Sequence, residues 1–478
     1  MKAVVFTLGC KVNKYESDSI SNSLKQMGYE ISSELEEADI YIVNTCAVTN
    51  EAEKKSRQAI ARCRKFNPNA KIFVLGCASE KNAEQFKEKG VNFVRGTEKK
   101  DKILKELENK GIEIEKQDEV YHNMNYALPT RTRTYIKIQD GCNNFCTYCI
   151  IPYLRGRSRS RDLNDIINEV ASLPNDVKEV VLTGINVADY KIDGQNALLK
   201  VLQEVDKFGK RIRLSSMEDC QVTEEFISGL KELKNFCPHF HLSLQSGCDS
   251  VLKRMNRHYT TEEFYNSVKL IRKYFPLAGI TTDVIVGFPE ESEEEFETTR
   301  KFIEKVSFSD LHVFAFSKRE GTVADKLYKD LSSEIKKVRS KVLTELSASL
   351  KQKFIISNRF EEVLFEEKEN DFYVGYSKNY IKCYVSSNMA LTNQILKVKI
   401  LKPFKDGALC EIDSWQIEIL WYIYSTNTRG LKWQEKKEKK FTTHFAKTWD
   451  TMKTLEIENI LLDNKWEEWA FQSKWLLL

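Results

Sequence analysis

Along the first 96 residues, short apolar runs alternate with longer stretches whose apolar positions recur every three or four residues. Ala3–Leu8, Ile40–Val43 and Ile72–Leu75 are continuous enough to predict strands buried on both faces. Glu16–Met27 and Glu51–Phe66 carry the helical period, and Gly28 and Pro68 stop them. Such alternation predicts an α/β fold with a doubly wound parallel sheet. A second alternation follows with longer units. Tyr135–Gln139, Glu179–Thr183, Ile212–Ser215, Phe240–Leu244, Asp283–Gly287 and Leu311–Phe316 predict strands, with helical stretches such as Asp162–Leu173 and Thr260–Tyr274 between them. Six strand–helix units predict a partial (β/α)6 barrel whose reactive face lies at the C-terminal strand ends. A polar helix over Ser332–Ser357 then leads into a β-rich segment, Phe360–Asp413, read as a small C-terminal β-barrel.

These patterns divide the chain into residues 1–115, a charged linker over 116–130, a barrel over 131–353, a β domain over 354–413 and a tail over 414–478. The length of 478 residues suits about three domains at ~150 residues each. All seven tryptophans fall in the tail, from Trp415 to Trp475, which reads as an appended segment of its own.

The net charge of +4, from 74 basic and 70 acidic residues, neither requires nor excludes a nucleic-acid partner. No apolar run approaches the ~20 residues that span a bilayer, so no membrane partner is expected. The start, MKAVVFTLGC, has an apolar stretch shorter than the ~7–15 residues of a signal core. A first strand fits it better, and the chain is expected in the reducing cytoplasm. There, 12 cysteines bind metal or lie buried as thiols rather than form a disulfide framework.

Two cysteine sets stand out. GCNNFCTYC places Cys142, Cys146 and Cys149 in a Cys-x3-Cys-x2-Cys pattern. Three close thiolates leave a tetrahedral zinc site one ligand short, whereas a 4Fe–4S cluster can take three and keep one iron open. A zinc knuckle is the competing reading. Cys10, Cys46 and Cys77 are far apart in sequence, yet each directly follows a predicted strand, in VVFTLGC, IYIVNTC and IFVLGC. Ligands of open α/β sheets gather outside the carboxyl ends of the strands, so these three thiols are placed to converge on a second cluster. Three buried structural thiols are the alternative. Cys63, Cys220, Cys237, Cys248, Cys383 and Cys410 lack ligand-like spacing. His239 and His241 flank Phe240 at strand spacing, as a site face or as core histidines. In RGRSRSR, Arg155, Arg157, Arg159 and Arg161 alternate, and an extended backbone would put all four on one face. Such a face could hold RNA phosphates or a cofactor, or the arginines could pair with acids elsewhere.

The three-cysteine motif resembles that of the radical S-adenosylmethionine enzymes. In addition, TLGCKVNKYES, NTCAVT, QDGCNNFCTYCIIPYLRGRSRSR, SLQSGCDSVLKRMNR and DVIVGFP resemble the methylthiotransferases over residues 1 to about 413. The resemblance implies two 4Fe–4S clusters, on Cys142, Cys146 and Cys149 and on Cys10, Cys46 and Cys77, with S-adenosylmethionine at the first. That cofactor would supply both a methyl group and a 5′-deoxyadenosyl radical. It implies that Tyr148 packs beside the adenine and that Thr183, Gly184, Glu218, Gln245 and Asp283 line the cofactor face. Glu290 departs from the pattern, standing where relatives usually carry a small residue. The β domain would be the RNA-binding module called TRAM, although Glu361, Glu362, Glu366, Glu367 and Glu369 crowd its start. TLGCKVN is similar to the branch that methylthiolates carbon 2 of N6-threonylcarbamoyladenosine in the anticodon loop of tRNA, with an electron donor and a sulfur donor as further partners. Isopentenyladenosine tRNA or a ribosomal protein is the alternative substrate. A non-catalytic iron–sulfur or RNA-binding protein is the alternative of another class.

Overall fold

The computed structural model describes residues 1–127 and 132–413. The tryptophan-rich tail, 414–478, lies outside the described residues.

The first sheet joins β1 (Lys2–Thr7), β2 (Glu30–Ser32), β3 (Ile40–Thr45), β4 (Lys71–Gly76), β5 (Phe93–Arg95) and β6 (Gly111–Glu113) in the order β2-β1-β3-β4-β5-β6. Every pairing is parallel. Alternate strand residues serve opposite faces, as the pleat requires. Ala3, Val5, Ile40, Ile42, Phe73 and Leu75 pack with Ile20 and Leu24 of helix α1 (Lys11–Gln26). Val4, Tyr41, Val43, Ile72 and Val74 pack with Ala59 and Ile60 of helix α2 (Asn50–Phe66). The sheet is thus covered on both sides, as the continuous apolar runs foretell.

Helix α1 begins five residues before the expected Glu16, directly after Cys10, which caps it with no side-chain hydrogen bond. The stretch Lys11–Lys14 has neither a usual capping residue nor an apolar stripe, so its helicity is set by tertiary contacts: Val12 and Asn13 are buried. Helix α2 follows the expected pattern, with Thr49 Oγ1 accepting from Ala52 N. The charged stretch read as a linker is tied down where it is described. Ser19 donates to Asn125 O, Asn22 to Tyr126 O, and the Tyr121 hydroxyl to Lys137 O.

Next come β7 (Arg133–Lys137), the two-residue strands β8 (Gln139–Asp140) and β9 (Arg159–Ser160), β10 (Glu179–Thr183), the ribbon β11 (Lys191–Ile192) with β12 (Gln195–Asn196), β13 (Arg211–Leu214), β14 (His239–Gln245), β15 (Gly279–Val286) and β16 (Asp310–Ala315). The long strands form two parallel sheets, β13-β10-β7 and β14-β15-β16. Isolated bridges, Ile212 to Phe236 and Met217 to Leu242, connect the two sheets. The result is a six-stranded partial barrel, with β7 and β16 as its two edges. Its strand residues facing the surrounding helices form the largest apolar core, including Ile136, Leu182, Leu214, Leu242, Ile280 and Val284.

Helix Ser333–Ser357, capped by Ser332, leads to a closed barrel of β17 (Phe360–Glu369), β18 (Phe372–Ser377), β19 (Lys382–Val385), β20 (Ile395–Phe404) and β21 (Gly407–Ile412), in the order β17-β18-β19-β21-β20. This small barrel docks at the N-terminal ends of the large barrel's strands. Arg213 donates to Ser377 O at 3.1 Å and Lys378 O at 3.0 Å, and Arg211 to Tyr376 O at 3.3 Å. The opposite face, at the C-terminal strand ends, is left for chemistry.

Candidate active site between two sets of thiols

Cys10, Cys46 and Cys77 emerge from the C-terminal ends of β1, β3 and β4, at one edge of the first sheet. Cys46 and Cys77 are buried and Cys10 is exposed at the rim. Gly9, at φ +98°, turns the chain there, and a Cβ on it would lie 2.7 Å from Cys46 Sγ. The missing side chain is what lets Cys46 approach the turn that carries Cys10. Burial, and then the neighbouring Cys77 and Cys10, push the Cys46 thiol up to about 11.

Behind this set lies a buried charged network. Glu16, on α1, accepts from Lys137 at 2.8 Å, from Arg155 at 3.1 and 3.2 Å, and from Lys100. Asp140 accepts from Lys137 at 2.6 Å and Arg155 at 3.0 Å. Asn13 Oδ1 takes Arg155 Nη2 at 2.7 Å and Lys100 Nζ at 3.2 Å. Burial alone would raise both carboxyls, but the cations hold Glu16 and Asp140 well below the usual carboxylate range. Three cations against two carboxylates leave one positive charge over. Arg155 directs it at the thiols, its Nε donating to Cys77 Sγ at 3.4 Å. A surplus cation beside three convergent thiols suits a thiolate-ligated cluster, whose ligands carry negative charge.

The second set sits on the loop after β8. Cys142, Cys146 and Cys149 lie within eight residues of two positions with left-handed backbone, Gly141 at φ +72° and Phe145 at φ +47°. Burial and the neighbouring Cys146 raise Cys142 to about 11 and Cys149 to about 12. Here too a guanidinium attends the thiols. Arg257 Nη1 donates to Cys146 Sγ at 3.3 Å, while its other arm pairs with Glu218. The donor set therefore fits a cluster in the same way as the first.

The residues read as a cofactor face are distributed as follows. Tyr148 packs against the apolar cluster of Cys248, Val251, Met255, Phe288, Phe316 and Ala324. Thr183 is buried at the end of β10, and Gly184 lies against the Gln139 side chain. Glu218 accepts from Asn144 of the cysteine loop at 3.2 Å. Gln245 ends β14 in left-handed backbone, at φ +66°. These five line the C-terminal strand ends. Asp283 does not: it sits midway along β15, register partner of His312. It accepts from His312 Nδ1 at 3.1 Å and His241 Nε2 at 3.3 Å. Burial would raise its carboxyl, but the two histidines outweigh that and lower it, and Asp283 in turn raises His312. Their ligating atoms lie within 4.8 Å of one another. Both His239 and His241 contact Thr281 Oγ1 at 2.9 Å, so the pair belongs to an interior polar chain.

The arginine run is a correction. Arg155, Arg159 and Arg161 do not share an exposed face with Arg157. Arg155 ends a short helix, Ile151–Arg155, and only Arg159–Ser160 is strand, so strict alternation never develops. Arg155 is spent on Glu16 and Asp140, Arg159 on Glu98 at 3.0 Å, and Arg161 on Asp165 at 2.6 Å and Glu169. Arg157 alone is exposed, its guanidinium 4.4 Å from the Phe145 ring.

Sequence reasoning missed the organisers: Glu16, Lys100, Lys137, Asp140, Arg257 and Gln139. Gln139 donates to Asp140 O, Gly141 O at 2.7 Å and Ser158 Oγ, and accepts from Asn186 N at 2.8 Å, which ties the cysteine loop to the loop after β10. Both Gln139 and Arg257 stand inside recognisable motifs, but a motif assigns no role to a residue whose partners are remote. Between the start of α2 and the end of β16, Thr49, Asn50, Glu51, Phe314, Phe316 and Lys318 line an open cleft of about 460 Å³. That lies within the ~300–1,000 Å³ typical of small-molecule sites.

Residues 136–303 match the model described as Radical SAM superfamily, and residues 2–96 match Uncharacterized protein family UPF0004. Threonylcarbamoyladenosine tRNA methylthiotransferase MtaB of Bacillus subtilis (strain 168) is 39% identical over 438 residues, covering 86% of this chain and 97% of that protein. The protein of the same name from Aquifex aeolicus (strain VF5) is 39% identical over 376 residues, 76% of this chain and 92% of its own. A tRNA-2-methylthio-N(6)-dimethylallyladenosine synthase from Alkaliphilus oremlandii (strain OhILAs) is 34% identical over 433 residues, 84% and 90% of the two chains.

Proposed function

We propose, from the premise that this chain belongs to the methylthiotransferase family of the radical S-adenosylmethionine superfamily, that it adds a methylthio group to carbon 2 of N6-threonylcarbamoyladenosine in the anticodon loop of tRNA. The observation that carries this reading is the pair of three-thiol sets, each attended by a guanidinium, at the ends of two adjoining sheets. The 37–39% identity to enzymes named for the threonylcarbamoyl substrate, against 32–36% for those named for the dimethylallyl one, favours the former.

When bound, the two 4Fe–4S clusters and S-adenosylmethionine supply the radical, the sulfur relay and the methyl group. The protein's own residues position and shield. Cys10, Cys46 and Cys77 are assigned to the auxiliary cluster, and Cys142, Cys146 and Cys149 to the one that receives S-adenosylmethionine. Arg155 and Arg257 balance the charge of the two sets. Tyr148, Thr183, Gly184, Glu218 and Gln245 are assigned to the cofactor, and Asp283 to the barrel interior. Arg157, over Phe145, offers an exposed cation for an RNA phosphate. An anticodon-loop base can be splayed into such a cavity more cheaply than one in a duplex. An electron donor and a sulfur donor complete the reaction, which takes place in the cytoplasm. Among the described residues no helix is long and apolar enough to cross a membrane.

The test is mass spectrometry of tRNA nucleosides from a strain lacking the gene. Loss of the 2-methylthio form of N6-threonylcarbamoyladenosine, restored by the gene and not by its Cys142→Ala form, is the expected result. An unchanged pool in a strain without a second such enzyme would refute the reading. In vitro, anaerobic reconstitution should load about eight irons per chain, and about four for Cys10→Ala.

A further inference from the structure

The interior of the large barrel is polar. His239 and His241 on β14, Thr281 and Asp283 on β15 and His312 on β16 alternate inward and contact one another. At the floor, Arg133 and Arg213 share Glu179, and their guanidiniums lie over the Tyr380 ring at 5.8 and 4.7 Å. Close to this interior stands Lys11, the first residue of α1 and the neighbour of Cys10. Its ammonium is within electrostatic reach of Arg213, Arg133 and Asp283. His312 and His239 feel it as well.

Lys11 differs from Arg133, Arg155, Arg213 and Arg257 in having no carboxylate partner. It is exposed, and no carboxylate among the described residues lies within 4.0 Å of it. It also occupies the first turn of a helix, the end at which the dipole favours anions over cations. Asp283, the nearest carboxylate by its influence, is already engaged by two histidines. The floor carries three guanidiniums, on Arg133, Arg211 and Arg213, against Glu179 and Glu366. The interior is therefore positive overall, which speaks against the His241, Asp283 and His312 group as a cation site and for an incoming anion.

The two substrate classes named among the relatives differ by one such charge. A threonylcarbamoyl group ends in a carboxylate, whereas a dimethylallyl group is a neutral hydrocarbon. We propose that the Lys11 ammonium, together with the His312 imidazole, binds the carboxylate of the threonyl group and thereby selects threonylcarbamoyladenosine over dimethylallyladenosine. This rests on the reading given under Proposed function and names the residue that sets its specificity. The position next to Cys10 means that the same contact which reads the N6 substituent also draws the base toward the auxiliary thiols.

The experiment compares two anticodon stem-loop RNAs, one with N6-threonylcarbamoyladenosine and one with its threonyl carboxamide, which keeps the shape and removes the charge. In the wild type kcat/KM should fall roughly ten- to hundredfold from acid to amide, mainly through KM, as for loss of a charge-assisted hydrogen bond. Lys11→Met should lose about as much on the acid and show no further loss on the amide, whereas Lys11→Arg should keep the discrimination. His312→Gln, whose smaller expected effect is also confined to the acid, serves if Lys11→Met loads less iron than the wild type. A Lys11→Met enzyme that still distinguishes acid from amide as the wild type does overturns the inference. A wild-type enzyme that acts on dimethylallyladenosine RNA and not on the threonylcarbamoyl RNA overturns the functional reading instead.

Discussion

Arg155 reaches four groups through one guanidinium: the Glu16 and Asp140 carboxylates, Asn13 and the Cys77 thiol. Removing one partner of a buried pair leaves uncompensated charge and is destabilising by ~3–5 kcal/mol. Arg155→Ala should lower stability by that order in urea unfolding and load less iron at the Cys10 set. Glu290 illustrates a smaller strain. It is exposed and held at φ +60°, a left-handed conformation that costs a side-chain-bearing residue ~1–2 kcal/mol. Glu290→Gly should therefore raise the unfolding midpoint modestly, with an effect near 1 kcal/mol after the entropy of glycine is subtracted. The small residue expected at this position has its explanation in the backbone. At this scale the grouping of the cysteines was legible, because three follow strand ends and three crowd one loop. The roles of Arg155 and Arg159 were not, since their partners Glu16 and Glu98 are more than fifty residues away and alternation in sequence does not guarantee extended backbone.

Elements were legible where apolar period and caps agree. β10 matches its expected Glu179–Thr183 bounds, and Thr260 and Ser332 cap the helices expected to begin there. The start of α1 was hidden, because its first turn is held by Val12, Asn13 and Glu16 against other elements rather than by its own propensity. Strand β15 begins at Gly279, four residues before the expected Asp283, since its inward positions are polar and mask the strand period. The loop that carries the second cysteine set depends on Gly141. A Cβ there would lie 1.9 Å from Arg157 O, and the backbone is left-handed. Gly141→Ala should displace the loop, with iron falling from about eight to about four per chain while far-ultraviolet circular dichroism stays near that of the wild type.

At the scale of the whole molecule, Glu179 joins the two barrels. Burial would raise its carboxyl, but Arg213, Arg133 and Arg211 outweigh this and lower it to about 2. Because the folded value is depressed, its contribution is complete above the ordinary value near 4.5 and is lost as pH falls toward 2. The difference corresponds to about 3 kcal/mol. Glu179→Gln should be less stable at pH 7 and should show a flatter loss of stability between about pH 5 and pH 2 in denaturant titrations. A chain ending at Asp413 contains every cysteine of both sets, so it should keep its iron and its cleavage of S-adenosylmethionine.

Helix α1 carries Cys10 at its start and Glu16 less than two turns later, and Glu16 is bolted to Lys137 and Arg155 beside the second cysteine loop. Prying the first sheet from the barrel would cut Glu16 off from Lys137 and Arg155, leaving Lys100 as its one cation and a surplus of positive charge on the barrel side. The enzyme is in this sense a fixed jig rather than a pair of jaws. The distance between its two stations is set at folding, and the mobile part of the reaction is the nucleotide, which must be turned until one carbon faces both.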